Sequence, residues 1–341
     1  MRIRVRVTLI LLVAAAALTV PLLGQQPGAS YTAPRTPWGE PDLGGIWGVG
    51  YSFTPLERAK EHEGKALLTD SEVAALEKAH SESRQGNSVG GRERGKPGTV
   101  ADVEGAYNAV FSRSGAHERW LRTKQSSMVV DPPDGKIPPL TPEGELRLKA
   151  NRRDATDEFG PAGPADDPEQ RKSDRCTGTT LPFIQGVSSG MRRIVQTPKA
   201  VTMFHEDGHL GGGFRTIPID NRPALPAHIR QFWGDARGRW EGDTLVVEVT
   251  NFSNKTNFQG SMENLKLTER YTRTGDDLII FRVTIEDPTT FTKPWTVEVP
   301  LTKSDEKANQ IFESACHEGN YAMTTILAGA RALEREKRGG R

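Results

Sequence analysis

The run most suggestive of chemistry in this 341-residue chain is His205-Glu206-Asp207-Gly208-His209, a literal H-E-x-x-H with Gly212 where a metzincin places a glycine. On a helix that spacing puts both imidazoles on one face to hold zinc, with the glutamate behind them as general base. Asp207-Gly208 inside the run and Gly211 to Gly213 after it oppose a helix and favour a turn. Arg215 stands where a third histidine would be. The run is therefore expected to be a hairpin turn, with His205 and His209 facing each other across it at about 5 Å. Two readings of that turn stay open: exposed histidines without a chemical role, or two ligands of a site completed by His317 or Glu318.

The second constellation is Cys316-His317-Glu318. A carboxylate beside an imidazole can orient it for acid/base work, but neighbours on a strand point to opposite faces. The pair can act together only if the strand ends at Cys316. As an enzyme, the chain would be a hydrolase or lyase with His209 or His317 as base and Glu206 or Glu318 as its partner.

The third gathers Arg230, Trp233, Asp235, Arg237, Arg239, Trp240 and Glu241. Arginine and tryptophan together form a wall that stacks on a planar ligand and pairs with its carboxylate. The same residues could equally be a surface ion network around a buried Trp240. Arg215 adds to this group, because on a strand it shares a face with Ile217 and Ile219 and is costly to bury without a partner. Glu248 and Glu298 on other strands, or an anionic ligand, could supply one. No Walker loop, dinucleotide fingerprint or C-x-x-C-H is present. The expectation is a small partly apolar or carboxylate-bearing molecule bound by Arg215, Arg237 and Trp240, with the hydrolase or lyase as alternative. No metal and no cofactor is assigned.

These side chains must be positioned by strands. From Arg192 onward the hydrophobic period is two, with strands expected at 193–197, 201–205, 214–219, 238–240, 244–250, 266–272, 278–286, 292–301 and 310–315. Glu241-Gly242-Asp243, Thr274-Gly275-Asp276-Asp277 and Asp287-Pro288-Thr289-Thr290 are short turns, which join antiparallel neighbours. The fold class is mainly β: an antiparallel meander forming an up-and-down barrel or curved sheet over residues 176–320. Residues 26–175 read as an irregular arm with two helices, one capped at Thr69 and one opening at Thr141-Pro142, with a mobile loop from Gln85 to Thr99. A last helix, with a basic tail, spans 321–341 and would cover an edge or plug one end.

Arg2, Arg4 and Arg6 precede an apolar run from Leu9 to Leu23, after which Gln25 to Gly28 is polar and turn-forming. That is the pattern of a signal peptide over residues 1–25; at about 15 residues the run is short for a span, which needs about 20. The expected location is periplasmic or extracellular, with no membrane span after removal. The remaining chain has 42 basic residues (45 less three arginines) against 44 acidic ones, which disfavours a nucleic-acid partner. Cys176 and Cys316 are the only cysteines; export favours one bridge between them, free buried thiols being the alternative.

The segments Asp131-Pro132-Pro133-Asp134-Gly135-Lys136-Ile137-Pro138, Gly238 to Val247, Thr256-Asn257-Phe258 and Ala315 to Tyr321 resemble those of a family of uncharacterised secreted bacterial proteins. That resemblance implies export and no particular activity. Gly45-Ile46-Trp47 is similar to the G-x-W of the first lipocalin strand, which implies a β-barrel, although more than 140 residues separate it from the strand-rich half.

Overall fold

The computed structural model describes residues 31–48, 54–87, 122–155, 175–176, 180–184, 191–206, 212–220, 222–304, 307, 311 and 316–339. The signal segment and nearly all of the loop 85–99 lie outside them. No helix among the described residues is long and apolar enough to cross a membrane.

The helices begin where side chains can satisfy their first N–H groups. Helix α1 (Asp70–Asn87) opens on a reciprocal capping box, in which the Glu72 N–H donates to Thr69 Oγ1 and the Thr69 N–H donates to Glu72 Oε2. Helix α2 (Pro142–Ala155) has proline at its first position, and the Gly144 N–H donates to Thr141 Oγ1. Helix α3 (Ala322–Gly339) starts as the Ala322 N–H donates to Asn320 Oδ1. None of its residues is buried. The face Met323, Ile326, Leu327 and Ala330 is half-buried.

Among the described residues, ten strands make one antiparallel sheet. They are β1 (Gly45–Gly48), β2 (Val129–Asp131), β3 (Met191–Thr197), β4 (Ala200–His205), β5 (Gly213–Pro218), β6 (Asp235–Glu241), β7 (Thr244–Thr250), β8 (Lys266–Gly275), β9 (Leu278–Glu286) and β10 (Trp295–Lys303). The hydrogen-bonded order is β5-β4-β3-β1-β10-β9-β8-β7-β6, with β2 on the same edge of β10 as β1. Going round the sheet, the strands follow chain order, and β1 joins the last strand to β3. The result is a nearly closed, mainly β barrel. β10 starts later than the pattern suggests, because Pro294 has no N–H for the ladder. Of the strand expected at 310–315, only Ile311 is described and it is not extended in the sheet.

Parity decides how the barrel closes. The nine strands of the path alternate in direction from β5 to β6, so β5 and β6 run parallel where they meet. A parallel neighbour needs a long return, and residues 219–234 supply it, running from the end of β5 back to the start of β6. The seam is tight, since a Cβ on Gly238 would lie 2.9 Å from Ile217 Cγ2 and 2.5 Å from Ile219 Cδ1. The return ends at Gly234, whose φ of +68° and closeness to the Thr250 carbonyl leave no room for a side chain.

Alternate residues fill the interior: Leu245, Val247 and Val249; Leu267 and Tyr271; Ile279, Phe281, Val283 and Ile285; Trp295, Val297, Val299 and Leu301 are all buried. Trp47, from the first strand, is fully buried under Arg273, whose guanidinium lies 5.6 Å from its ring. Arg273 is satisfied by the carbonyls of Asp42, Gly275 and Asp276.

Cys176 and Cys316 form a disulfide across 140 residues of sequence. In the chain-entropy model a loop of that length is worth about 5 kcal/mol. A Cys176→Ser/Cys316→Ser chain is expected to unfold at a clearly lower urea midpoint, and thiol titration of the denatured, unreduced protein is expected to find no free sulfhydryl.

Candidate functional site

Strand alternation brings an unusual set of side chains to the inner wall. On β3 Arg192 and Ile194 face inward, on β4 Met203 and His205, and on β5 Arg215 and Ile217. Register sets Arg192 beside His205 and Met203 beside Arg215. On β8 the inward row is Leu267, Glu269, Tyr271 and Arg273. Two guanidinium groups, an imidazole, a carboxylate and a phenol therefore meet inside a barrel otherwise lined by aliphatic and aromatic groups.

Arg215 Nη2 donates to Glu269 Oε2, forming an ion pair that is 7% exposed at the arginine and 1% at the glutamate. It also lies 3.3 Å from the Tyr271 hydroxyl, which in turn donates to Glu269 Oε2 at 3.1 Å. Arg192 Nη2 donates to the Phe183 carbonyl at 3.1 Å, and its guanidinium lies 5.3 Å from the Phe281 ring, which stacks on Tyr271. The remaining capacity is the notable part. Nε and Nη1 of both arginines, His205 Nε2 and Glu269 Oε1 are buried with no hydrogen-bond partner among the described residues. Native interiors leave few such groups, and each costs about 1–3 kcal/mol when unmet.

Aromatic rings border the cluster. Phe183 stacks on His205 at 4.4 Å, and Trp233 stands edge-on to both, at 5.5 and 5.8 Å. Trp233 belongs to the return segment that parity demands, and it fits because residue 213 is glycine: a Cβ there would lie 2.6 Å from the indole.

Electrostatics follow from burial and from the neighbours. Burial, then the charges of Arg192 and Arg215, hold the His205 pKa well below 6.5, so the ring is neutral. Burial opposes the charge on Arg215, but Glu269 and Tyr271 outweigh it and the pKa is raised. Arg192 has no such carboxylate of its own; burial lowers its pKa, with Tyr271 and Glu269 only partly offsetting this. Burial and then Glu269 push Tyr271 far up, so the phenol keeps its proton.

The residues singled out from sequence are distributed as follows. Arg215 is in the cluster, and its partner is Glu269 rather than Glu248 or Glu298, which pair with Arg239 and Arg282 on the outside. His205 faces Gly213 across the hairpin, not His209, because the β4–β5 ladder continues to that register before the turn begins. His205 lies on a strand, so the helix that a zinc protease needs is absent there. Glu206 follows β4, and His209 lies outside the described residues. His317 and Glu318 are exposed in a turn beside Cys316. Arg237 donates to Asp235 at 2.9 Å, and Trp240 is half-buried against the core near the seam. Among the described residues no group of three or more His, Cys, Asp or Glu is disposed to hold a metal ion. Arg192, Glu269, Tyr271 and Phe183 were not foreseen; the signal for Glu269 was the one that flagged Arg215, a charge on the apolar face of an alternating strand.

In comparison with known proteins, no family model, no curated protein and no solved structure matches the chain. The site therefore rests on geometry alone.

Two outcomes follow. Arg215→Met strands Glu269 in the interior and should cost about 3–5 kcal/mol in urea unfolding, with a second change, Glu269→Gln, restoring part of the loss. His205 is neutral when folded but titrates near 6.5 when unfolded. Below that pH the unfolded chain binds the extra proton, so stability falls as pH drops, by at most about 1.4 kcal/mol per unit. His205→Phe should flatten this slope in urea titrations between pH 7 and 5.

Proposed function

We propose that this protein is an exported binding protein that holds a small molecule inside its barrel by an anionic, carboxylate-type group. The observation that carries the reading is the set of four buried guanidinium nitrogens, two on Arg192 and two on Arg215, with no partner among the described residues. Such donors are met by a carboxylate more strongly than by a neutral acceptor. The apolar part of the ligand would rest on Phe281, Phe183 and Trp233, in keeping with sites that are mostly apolar with a few convergent polar groups. Export rests on the signal-peptide pattern and agrees with the disulfide.

Acid/base catalysis by a His/Glu pair has less support. Within the cluster Glu269 is engaged by Arg215 and Tyr271, and His205 Nε2 has no hydrogen-bond partner among the described residues, so the two form no hydrogen-bonded pair through that nitrogen. Beside two guanidinium groups the neutral imidazole serves better as a further polar contact. Arg237 and Trp240 could contact a ligand only at the seam, and Arg237 is already committed to Asp235.

Sodium benzoate and sodium hexanoate, compared with sodium chloride at equal ionic strength, are expected to raise the melting temperature. At 100 times the dissociation constant the stabilisation should approach about 2.7 kcal/mol. Arg192→Leu, which frees no buried carboxylate, should fold and bind at least tenfold more weakly. Absence of any shift across such carboxylates would sink the proposal.

A further inference from the structure

We infer that Glu269 makes the interior site selective for singly charged anions. The inference rests on the anion-binding reading above and adds which anions are admitted. Among the described residues inside the barrel, the charges acting on one another are the guanidiniums of Arg192 and Arg215 and the carboxylate of Glu269, while His205 and Tyr271 are neutral. Arg273, further along the same face of β8, is held by three carbonyls with the Asp42 carboxylate at 3.9 Å. The cluster therefore carries one net positive charge.

An uncompensated charge in a low-dielectric interior is costly, and a monoanion cancels it. A dianion would leave the interior negative. It would also share the space with Glu269 Oε1, which is buried and already without a donor. The geometry makes Glu269 the residue responsible. It pairs directly with Arg215 through Oε2, whereas Arg192 forms no ion pair among the described residues and its Nη2 donates to the Phe183 carbonyl. Were residue 269 neutral, the same shell would carry two positive charges and would match a dianion instead. Glu269 thus acts as a specificity determinant by subtracting one charge from a two-arginine site.

The test is calorimetric titration of the full chain at pH 7.5 with benzoate, monomethyl terephthalate and terephthalate. The last two have nearly the same size and differ by one charge. The expected result is that terephthalate binds at least tenfold more weakly than its monomethyl ester, and that Glu269→Gln narrows or reverses the ratio. If terephthalate binds wild-type protein as tightly as the ester, the selectivity is overturned while the anion-binding reading stands. If none of the three binds, that reading fails and takes the inference with it. Should the Glu269→Gln chain not fold, the wild-type comparison of terephthalate with its ester decides alone.

Discussion

A sheet whose neighbours all run antiparallel can close on itself only with an even number of strands, and here the path through the described residues has nine. The odd strand forces β5 and β6 to meet in parallel, and much of the molecule's character follows from that constraint. A hairpin cannot join the two, so the chain must travel back along the barrel between Ile219 and Gly234. That return carries Trp233 to the start of β5, where Gly213 makes space for it and the indole meets Phe183 and His205. A strand count therefore decides that the polar cluster is bordered by rings.

The cluster itself is not a stability device. Replacing a buried ion pair by apolar groups is often neutral or stabilising, whereas removing one partner is severe. The Arg215–Glu269 pair, braced by Tyr271, joins β5 to β8 across the interior, and it is satisfied on one side only. Arg192 Nη2 donates to the Phe183 carbonyl, while its Nε and Nη1 have no acceptor among the described residues. A barrel of about this size can fill its interior with side chains, and most of this one does so with valine, isoleucine, leucine and phenylalanine. Donors left unmet in such surroundings contribute nothing to the fold's stability.

The opposite arrangement is found around Trp47. There Arg273 is also buried, but each of its nitrogens has a carbonyl to donate to, and the tryptophan lies beneath it. One arginine is spent on closing the structure, and two retain capacity. A single barrel thus holds one guanidinium whose nitrogens are all met and two that keep unmet donors.

Sequence alone determined the elements whose signals are local. The capping box at Thr69 and Glu72, Pro142 at a helix start, the alternation from Arg192 onward and the turns at Gly242 and Gly275 all act over a few residues, and the helices and most strands lie where those signals put them. Two cysteines behind a signal-peptide pattern were likewise enough to suggest their bridge. Position in the sheet was a different matter. Gly45–Gly48 and Val129–Asp131 are too short to show a period, and their place beside β10 depends on partners more than 100 residues away. Arg215 was legible as a charge on an apolar face, but Glu269 as its partner was not, since the pairing crosses the barrel rather than running along a ladder. The same holds for Arg192, Tyr271 and Phe183. Periodicity tells a side chain which face of its strand it occupies; which faces look at each other is decided only when the sheet curves and closes, and the site exists only after that closure.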